Sequence, residues 1–395
     1  MKTLLIKIGK ALEVFKRDGI LVGFRRNWKG FWRQFSSVQP GDVLFVTDGV
    51  GDSALHRTHH IAEELNLNGI KASVATTHGF FLSKHVDGFK VFVFHRTLHT
   101  KKIAKMIEKI KSQGKEIIFD TDDLVYDAEY FKKTEAYKSM NSLQKKLYEN
   151  GLGSEILNDP YVKTCTTTTS FLADKLREKG KTVFVVPNKL SKKDLEIAEE
   201  VYNSRDIMRL RDNRAKRIGY FSGAATNNKN FATVNDALHS LMKKYEDLEL
   251  FLVGHLDIDS KLNEFGDRIK RHPYADREQH FKNLGFVDID IAPLEIGDAF
   301  CEAKSEIKFF EAGAVGVPIV AAATQTFKEA IEDGTDGFLA NGTEEWMEKL
   351  EKLILSEPLR NKIGEKAREK VLQKYSTMNA KNEEYYGFLR SKLQG

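Results

Sequence analysis

Cysteine is nearly absent from this chain: only Cys165 and Cys301 occur in 395 residues. Two thiols so far apart in sequence make no disulfide framework, and a reducing compartment is expected. Proline is scarce as well, with seven residues, which leaves room for long regular elements and excludes a polyproline or mucin-like chain. No apolar run approaches the length of a membrane span, no signal peptide is visible, and no internal repeat or low-complexity tract appears. The length suits two or three domains, each with its own core.

Charge is nearly balanced overall, at +5, but it is unevenly placed. Residues 1–40 hold nine Lys/Arg against Glu13 and Asp18, a net of +7, so the remainder of the chain sums to −2. The basicity therefore belongs to an arm, which argues against nucleic-acid binding by the body of the protein. In that arm Leu4, Ile8, Leu12 and Phe15 recur at helical spacing among lysines. Phe24, Trp28, Phe31, Trp32 and Phe35 follow among Arg25, Arg26, Lys29 and Arg33. A basic amphipathic helix with an aromatic face suits an anionic membrane surface, here through residues 1–38, and equally suits a helix packed on a domain.

From Asp42 the pattern changes to short apolar strands alternating with amphipathic helices. VLFVT (43–47), KASVAT (71–76), KVFVFH (90–95), EIIFD (116–120) and TVFVVP (182–187) read as strands. After a charged, helix-like stretch at 189–215, which reads as a linker, RIGYF (217–221), LELFLVG (248–254), DIDIAPL (288–294), PIVAAA (318–323) and GFLA (337–340) repeat the pattern. Alternation of this kind predicts an α/β fold with parallel sheets covered by helices on both faces. The expected division is a basic arm (1–40), a first Rossmann-like domain (41–200), a second (201–375) and a terminal helix (376–395). Two such domains in tandem predict a cleft at the carboxyl ends of their strands, where ligands bind in doubly wound sheets.

The stretch AKSEIKFFEAGAVGVP (303–318) carries most chemistry. It predicts a short helix capped by Ser305, with Lys304, Lys308 and Glu311 on one face, then a Gly-x-Pro turn into a strand. Lysines beside a helix N-terminus suit a phosphate, and a carboxylate further along suits a sugar diol. SGAATNNKNF (222–231) follows the first strand of the second half; Gly223 allows close backbone approach and Lys229 reaches a phosphate. In the first half DGVGDS (48–53) supplies Gly49 and Gly51 in a tight turn, and Arg57 is a candidate anion contact at a helix start. DTDDL (120–124) sets three acids at a strand end, where they must be solvated or paired. Asp122 is a candidate for hydroxyl recognition; Asp120-x-Asp122 holding a divalent metal is the alternative.

These motifs resemble a GT-B glycosyltransferase of the "glycosyl transferases group 1" kind over about residues 42–375. The resemblance rests on DGVGDS, VVPN (185–188), GYFSG…NKNF, LFLVG, DIAPL, KSEIKFFEAGAVGVPIVAA and EAIEDGTDGFLA (329–340). DTDDL is similar to a subgroup that builds bacterial surface polysaccharides. The resemblance implies a mostly retaining transferase that binds a nucleotide-diphosphate sugar in its second domain, without an essential metal or other cofactor. A saccharide or lipid-linked acceptor would bind the first domain, in the cytoplasm or at the inner face of the membrane. It places Glu311 on the nucleotide ribose, Lys229 on the donor diphosphate, Gly49 and Gly51 near the phosphates, and Asp122 near the sugar. Two departures stand out: Ala303 and Ala224 occupy positions where the family often has a glutamate and an arginine. Lys304, Glu306 and Lys308 are the candidates to supply what is missing. A non-catalytic partner of this fold and a sugar-nucleotide epimerase remain alternatives to the transferase.

Overall fold

The computed structural model describes residues 38–48, 51–79, 82–138, 140–212, 216–223 and 228–394. The arm through residue 37, Gly49 and Ala224 lie outside them. The chain divides into two compact units: one runs to Val186 and takes back the chain from Asn382 onward, and the other is Pro187–Lys381.

Unit 1 is built on six parallel strands: β1 (Val43–Thr47), β2 (Ala72–Thr76), β3 (Val91–His95), β4 (Glu116–Thr121), β5 (Thr164–Thr167) and β6 (Thr182–Val185), in the order β2-β1-β3-β4-β5-β6. The apolar runs of β1, β3 and β4, inside the sheet, are buried on both faces, as parallel strands under helices must be. The order reverses between β1 and β3, so the switch point of the sheet lies at the loops after those two strands. The helix after β1 begins at Asp52–Ala54, widens into a π-helical turn at Leu55–His60 and continues as Ile61–Leu67.

Unit 2 repeats the plan with β7 (Lys216–Phe221), β8 (Leu248–Val253), β9 (Ile269–His272), β10 (Ile289–Ala292), β11 (Ile319–Ala322) and β12 (Phe338–Ala340), ordered β12-β11-β10-β7-β8-β9 and parallel throughout. Its switch point lies between β7 and β10. The helix Ile307–Ala314 ends in Gly316, whose φ of 67° needs glycine, before Pro318 leads into β11.

The helix-like stretch expected as a linker is mostly one helix, Lys192–Asp212, and it belongs to unit 2. Its start is boxed: Ser191 N–H donates to Asp194 Oδ2 (3.0 Å) and Asp194 N–H to Ser191 Oγ (3.1 Å). The unit boundary thus falls at 186/187 rather than at 200/201. The terminal helix is Glu383–Leu393, shorter than the expected 376–395, because Asn382 caps it by accepting from Tyr385 N–H. It packs on unit 1: Tyr385, Tyr386 and Leu389 join a core with Val43, Phe45, Ile61 and Phe184. Two strands come from residues without an apolar run, Thr164–Thr167 and Ile269–His272. Among the described residues no helix is long and apolar enough to cross a membrane.

Candidate functional site

In unit 1, three strand ends bring polar side chains together by register alone. His95 on β3 pairs with Asp120 on β4, which pairs with Thr166 on β5, so their side chains share one face of the sheet. His95 Nδ1 lies 2.8 Å from Asp120 Oδ1, and Thr166 Oγ1 donates to Asp120 Oδ2 at 2.7 Å. From the π-helical turn Arg57 reaches the same carboxylate, Nε to Oδ1 at 3.2 Å and Nη2 to Oδ2 at 2.5 Å, while Nη1 donates to the Val186 carbonyl. Arg57 is fully buried, so its expected role at an anion is corrected: it is the partner of Asp120. Burial alone would raise the Asp120 pKa, but Arg57 and His95 outweigh it and hold the carboxyl below its usual range.

Asp122, two residues on, is half-buried and accepts from Ser53 Oγ at 2.7 Å. Ser53 Oγ also lies 3.1 Å from His95 Nε2. Arg96 closes the group, its Nε 2.6 Å from Asp122 Oδ1. Burial again opposes ionisation of Asp122, and Arg96, His95 and the Ser53 hydroxyl overcome it, leaving the carboxyl well below its usual range. Arg96 has φ 43°, the one positive value at a non-glycine among the described residues. A left-handed arginine costs about 1–3 kcal/mol and persists where its surroundings hold it, here its ion pair at the strand end. Gly51, at the start of the following helix, is exposed, and a Cβ there would meet nothing within 4 Å.

In unit 2 the predicted residues fall around the switch point, with several corrections. The helix begins at Ile307 with Glu306 at its N-cap, so Ser305 does not cap it and Lys304 stands before it rather than on its face. The run from Lys304 is turned away from helix by Ser305 itself, whose Oγ accepts from Asn188 Nδ2 at 3.2 Å. Glu306 is buried and hydrogen-bonds the Tyr375 hydroxyl. Lys308 points inward: its ammonium donates to the Phe221 carbonyl at the end of β7 and sits 4.8 Å from the centre of the Tyr220 ring. Burial lowers its pKa, partly offset by Asp290 and Glu311. Asp290 on β10 is raised by burial to about 7, against the opposing pull of Lys308.

Glu311 is buried and held on both oxygens: Arg277 Nη1 donates to Oε1 at 2.5 Å and His280 Nε2 lies 3.0 Å from Oε2. Arg277 also donates through Nε to Asp194 at 2.8 Å. Burial works against the guanidinium, but Glu311 and Asp194 together raise its pKa. Glu311 is thus an almost fully buried carboxylate oriented by a guanidinium on one oxygen and an imidazole on the other. Lys229 is exposed on the short helix Asn228–Ala232, and its side chain makes no bond to a described residue. That helix is tied to the loop after β10 through Asn230 Oδ1, which accepts from Cys301 Sγ (3.2 Å) and Glu295 N–H (3.4 Å). Gly223 is exposed at the end of the β7 loop and sterically unconstrained. Gly254 is the constrained one: φ is 91°, and a Cβ would stand 2.1 Å from the Ser222 carbonyl oxygen.

Asp194, Arg277, His280, Ser53, His95 and Arg96 were not singled out as site residues by sequence reasoning. HRT at 95–97 marked only a strand end; its neighbour Ser53 is 42 residues away in sequence and Asp122 is 69 residues from Ser53.

Comparison with known proteins adds the family. Residues 205–370 match the family described as "Glycosyl transferases group 1". No curated protein sequence matches the chain. Among solved structures it is similar to Anabaena Alr3699/HepE crystallised with UDP, at 15% identity and a TM-score of 0.56, covering 89% of this chain and 100% of that one. A glycosyltransferase from Rickettsia africae is similar at 15% identity and 0.59, covering 90% and 99%. WaaG, a glycosyltransferase involved in lipopolysaccharide biosynthesis, is similar at 16% identity and 0.55, covering 84% and 95%. The fold is GT-B, two parallel sheets of six strands with their covering helices.

Proposed function

We propose that this group 1 glycosyltransferase moves a sugar from a nucleoside-diphosphate donor to a saccharide or lipid-linked saccharide, in the synthesis of a surface polysaccharide. The observation that carries the reading is Glu311. Within the matched family stretch, at the switch point of the sheet, a buried carboxylate is fixed by Arg277 and His280, and we assign it to the ribose diol. Lys229 supplies the exposed cation of the same region, and we assign it to the donor diphosphate, where charge grows as the leaving group departs. Gly223 and the Gly49–Gly51 turn are assigned to close approach at the phosphates, and Lys304 to a supplementary contact. Lys308 is reassigned: bonded to the Phe221 carbonyl and lying over Tyr220, it fixes the end of β7 from which the phosphate loop springs.

Asp122 is assigned to a sugar hydroxyl, because its side chain reaches solvent at the end of β4 while Asp120 beside it is sealed. The metal alternative loses support from the same geometry: Arg57, His95 and Thr166 already engage both Asp120 oxygens. We therefore propose a reaction without a metal, which activity unchanged by EDTA would support and activity restored by added Mg2+ or Mn2+ would contradict. The basic arm is assigned to an anionic inner membrane surface; equal sedimentation on anionic liposomes with and without residues 1–38 would remove that assignment. A neighbour crystallised with UDP-glucose supports a hexose nucleotide as the first donor to test. The deciding assay is UDP release from UDP-glucose, with Lys229→Ala and Glu311→Ala beside the wild type. Turnover lowered about a hundredfold in both supports the site; wild-type turnover in both contradicts it.

A further inference from the structure

The polar group of unit 1 has an arrangement that sugar recognition alone does not need. Asp120 is ionised, held by Arg57 and accepting from Thr166, so the imidazole nitrogen facing it, His95 Nδ1, is the one that carries a proton. In the neutral ring Nε2 is then an acceptor. Ser53 has a single hydroxyl proton and two acceptors within reach, His95 Nε2 at 3.1 Å and Asp122 Oδ2 at 2.7 Å. The chain His95–Ser53–Asp122 thus has two proton positions and, with a neutral ring, one proton to fill them. If Ser53 donates to Asp122, the lone pairs of Nε2 and Oγ face each other until a proton comes.

We propose that Ser53 and His95 form a proton-accepting relay for a ligand hydroxyl seated against Asp122, with Asp120 and Arg57 as the positioning residues behind it. The role rests on the transferase reading above. As the acceptor oxygen bonds the anomeric carbon, its O–H bond breaks and the proton passes to Ser53 Oγ. The Ser53 proton moves to His95 Nε2, and the nucleoside diphosphate leaves with the electron pair of the broken C–O bond. The new imidazolium lies against Asp120, so no bare charge is created in a buried place. Arg96 keeps Asp122 ionised and its carboxylate turned toward Ser53, which explains why a strained backbone is kept at that position. The charged groups facing His95 are Asp120 and Asp122 from β4 and its loop, and Arg57 from the π-helical turn, where it pairs with Asp120.

Two measurements on the full-length chain test this. The first is long-range proton–nitrogen NMR of the histidine-labelled protein, with His95 identified by the signal lost in His95→Gln. The expected result is a ring protonated on Nδ1, toward Asp120, with Nε2 as the acceptor facing Ser53. A neutral ring protonated on Nε2 overturns the relay, and this readout requires no substrate. The second is UDP release from UDP-glucose, or from the nucleotide sugar whose base a thermal-shift screen selects. Ser53→Ala and His95→Gln should each lower kcat about a hundredfold, with KM within threefold and the acid limb of the kcat profile lost. Wild-type kcat and pH profile in His95→Gln overturn the relay while leaving the transferase reading intact. Because Asp120→Asn removes the charge that balances buried Arg57 and endangers folding, Ser53→Ala carries the test. Calorimetry with UDP separates the two readings: no nucleotide binding by the wild type contradicts the transferase, whatever the imidazole shows.

Discussion

Replacing Arg57 with methionine should destabilise unit 1 far more than removing a surface charge would. The guanidinium is fully buried, with two bonds to Asp120 and one to the carbonyl of Val186, where the first segment of unit 1 ends. Methionine matches the stem but leaves the Asp120 carboxylate buried with only His95 and Thr166 as donors. Removing one member of a buried ion pair typically costs about 3–5 kcal/mol, and the two surviving donors place this case near 3. For a unit of this size, about 2–4 °C per kcal/mol predicts a fall in Tm of about 6–12 °C. The difference should also depend on pH. The depressed Asp120 pKa contributes stability above the ordinary carboxylate range, lost as pH falls through the folded-state value. The gap between wild type and Arg57→Met should therefore narrow as the pH is lowered from 7 to 4 and below. Scanning calorimetry of the wild type, Arg57→Met, Asp120→Asn and the double variant gives the coupling directly. Arg57→Met within about 1 kcal/mol of wild type, with no coupling to Asp120, would refute the reasoning.

Other expectations follow from single residues. Gly254→Ala places a methyl 2.1 Å from the Ser222 carbonyl at a φ of 91°, so it should lower the Tm of unit 2 and weaken nucleotide binding; an unchanged melt would contradict that packing. Asp290 has a pKa raised to about 7, so wild-type stability should decline as pH rises from about 4 to 7, and Asp290→Asn should melt higher than wild type at pH 8 but not at pH 4. Denaturant titrations at the two pH values read that difference. Arg277→Ala removes the guanidinium that Glu311 and Asp194 share, and calorimetry should show UDP affinity reduced about tenfold or more, the cost of about 1.4 kcal/mol.

The ten strands read from the sequence are all present, because each is a run of apolar residues that only a covered parallel strand accommodates. The other two reveal what such a reading misses. Thr164–Thr167 is as buried as its neighbours, yet its hydroxyls are satisfied by Glu116, Asp120 and the Thr121 carbonyl, so a polar segment sits in a core. Ile269–His272 pairs only with β8, and an edge strand tolerates lysine, arginine and histidine. The site was legible where its residues are close in sequence, as in 303–318, although the helix start moved because Ser305 is engaged by a residue far upstream. It was illegible where register assembled it. Nothing local to His95 announces that parallel pairing puts Asp120 beside it and Thr47 on the other side, at the strand whose following helix presents Ser53. Arg277 likewise gains its meaning from Glu311, 34 residues on.

Calorimetric titration of the full-length chain with UDP, GDP and dTDP, repeated with Glu311→Ala, tests the central claim most directly. The account predicts selective binding of one nucleoside diphosphate, lost in the variant while its melting curve retains a cooperative transition. Binding of equal strength in wild type and Glu311→Ala, or no binding of any nucleoside diphosphate, would contradict it.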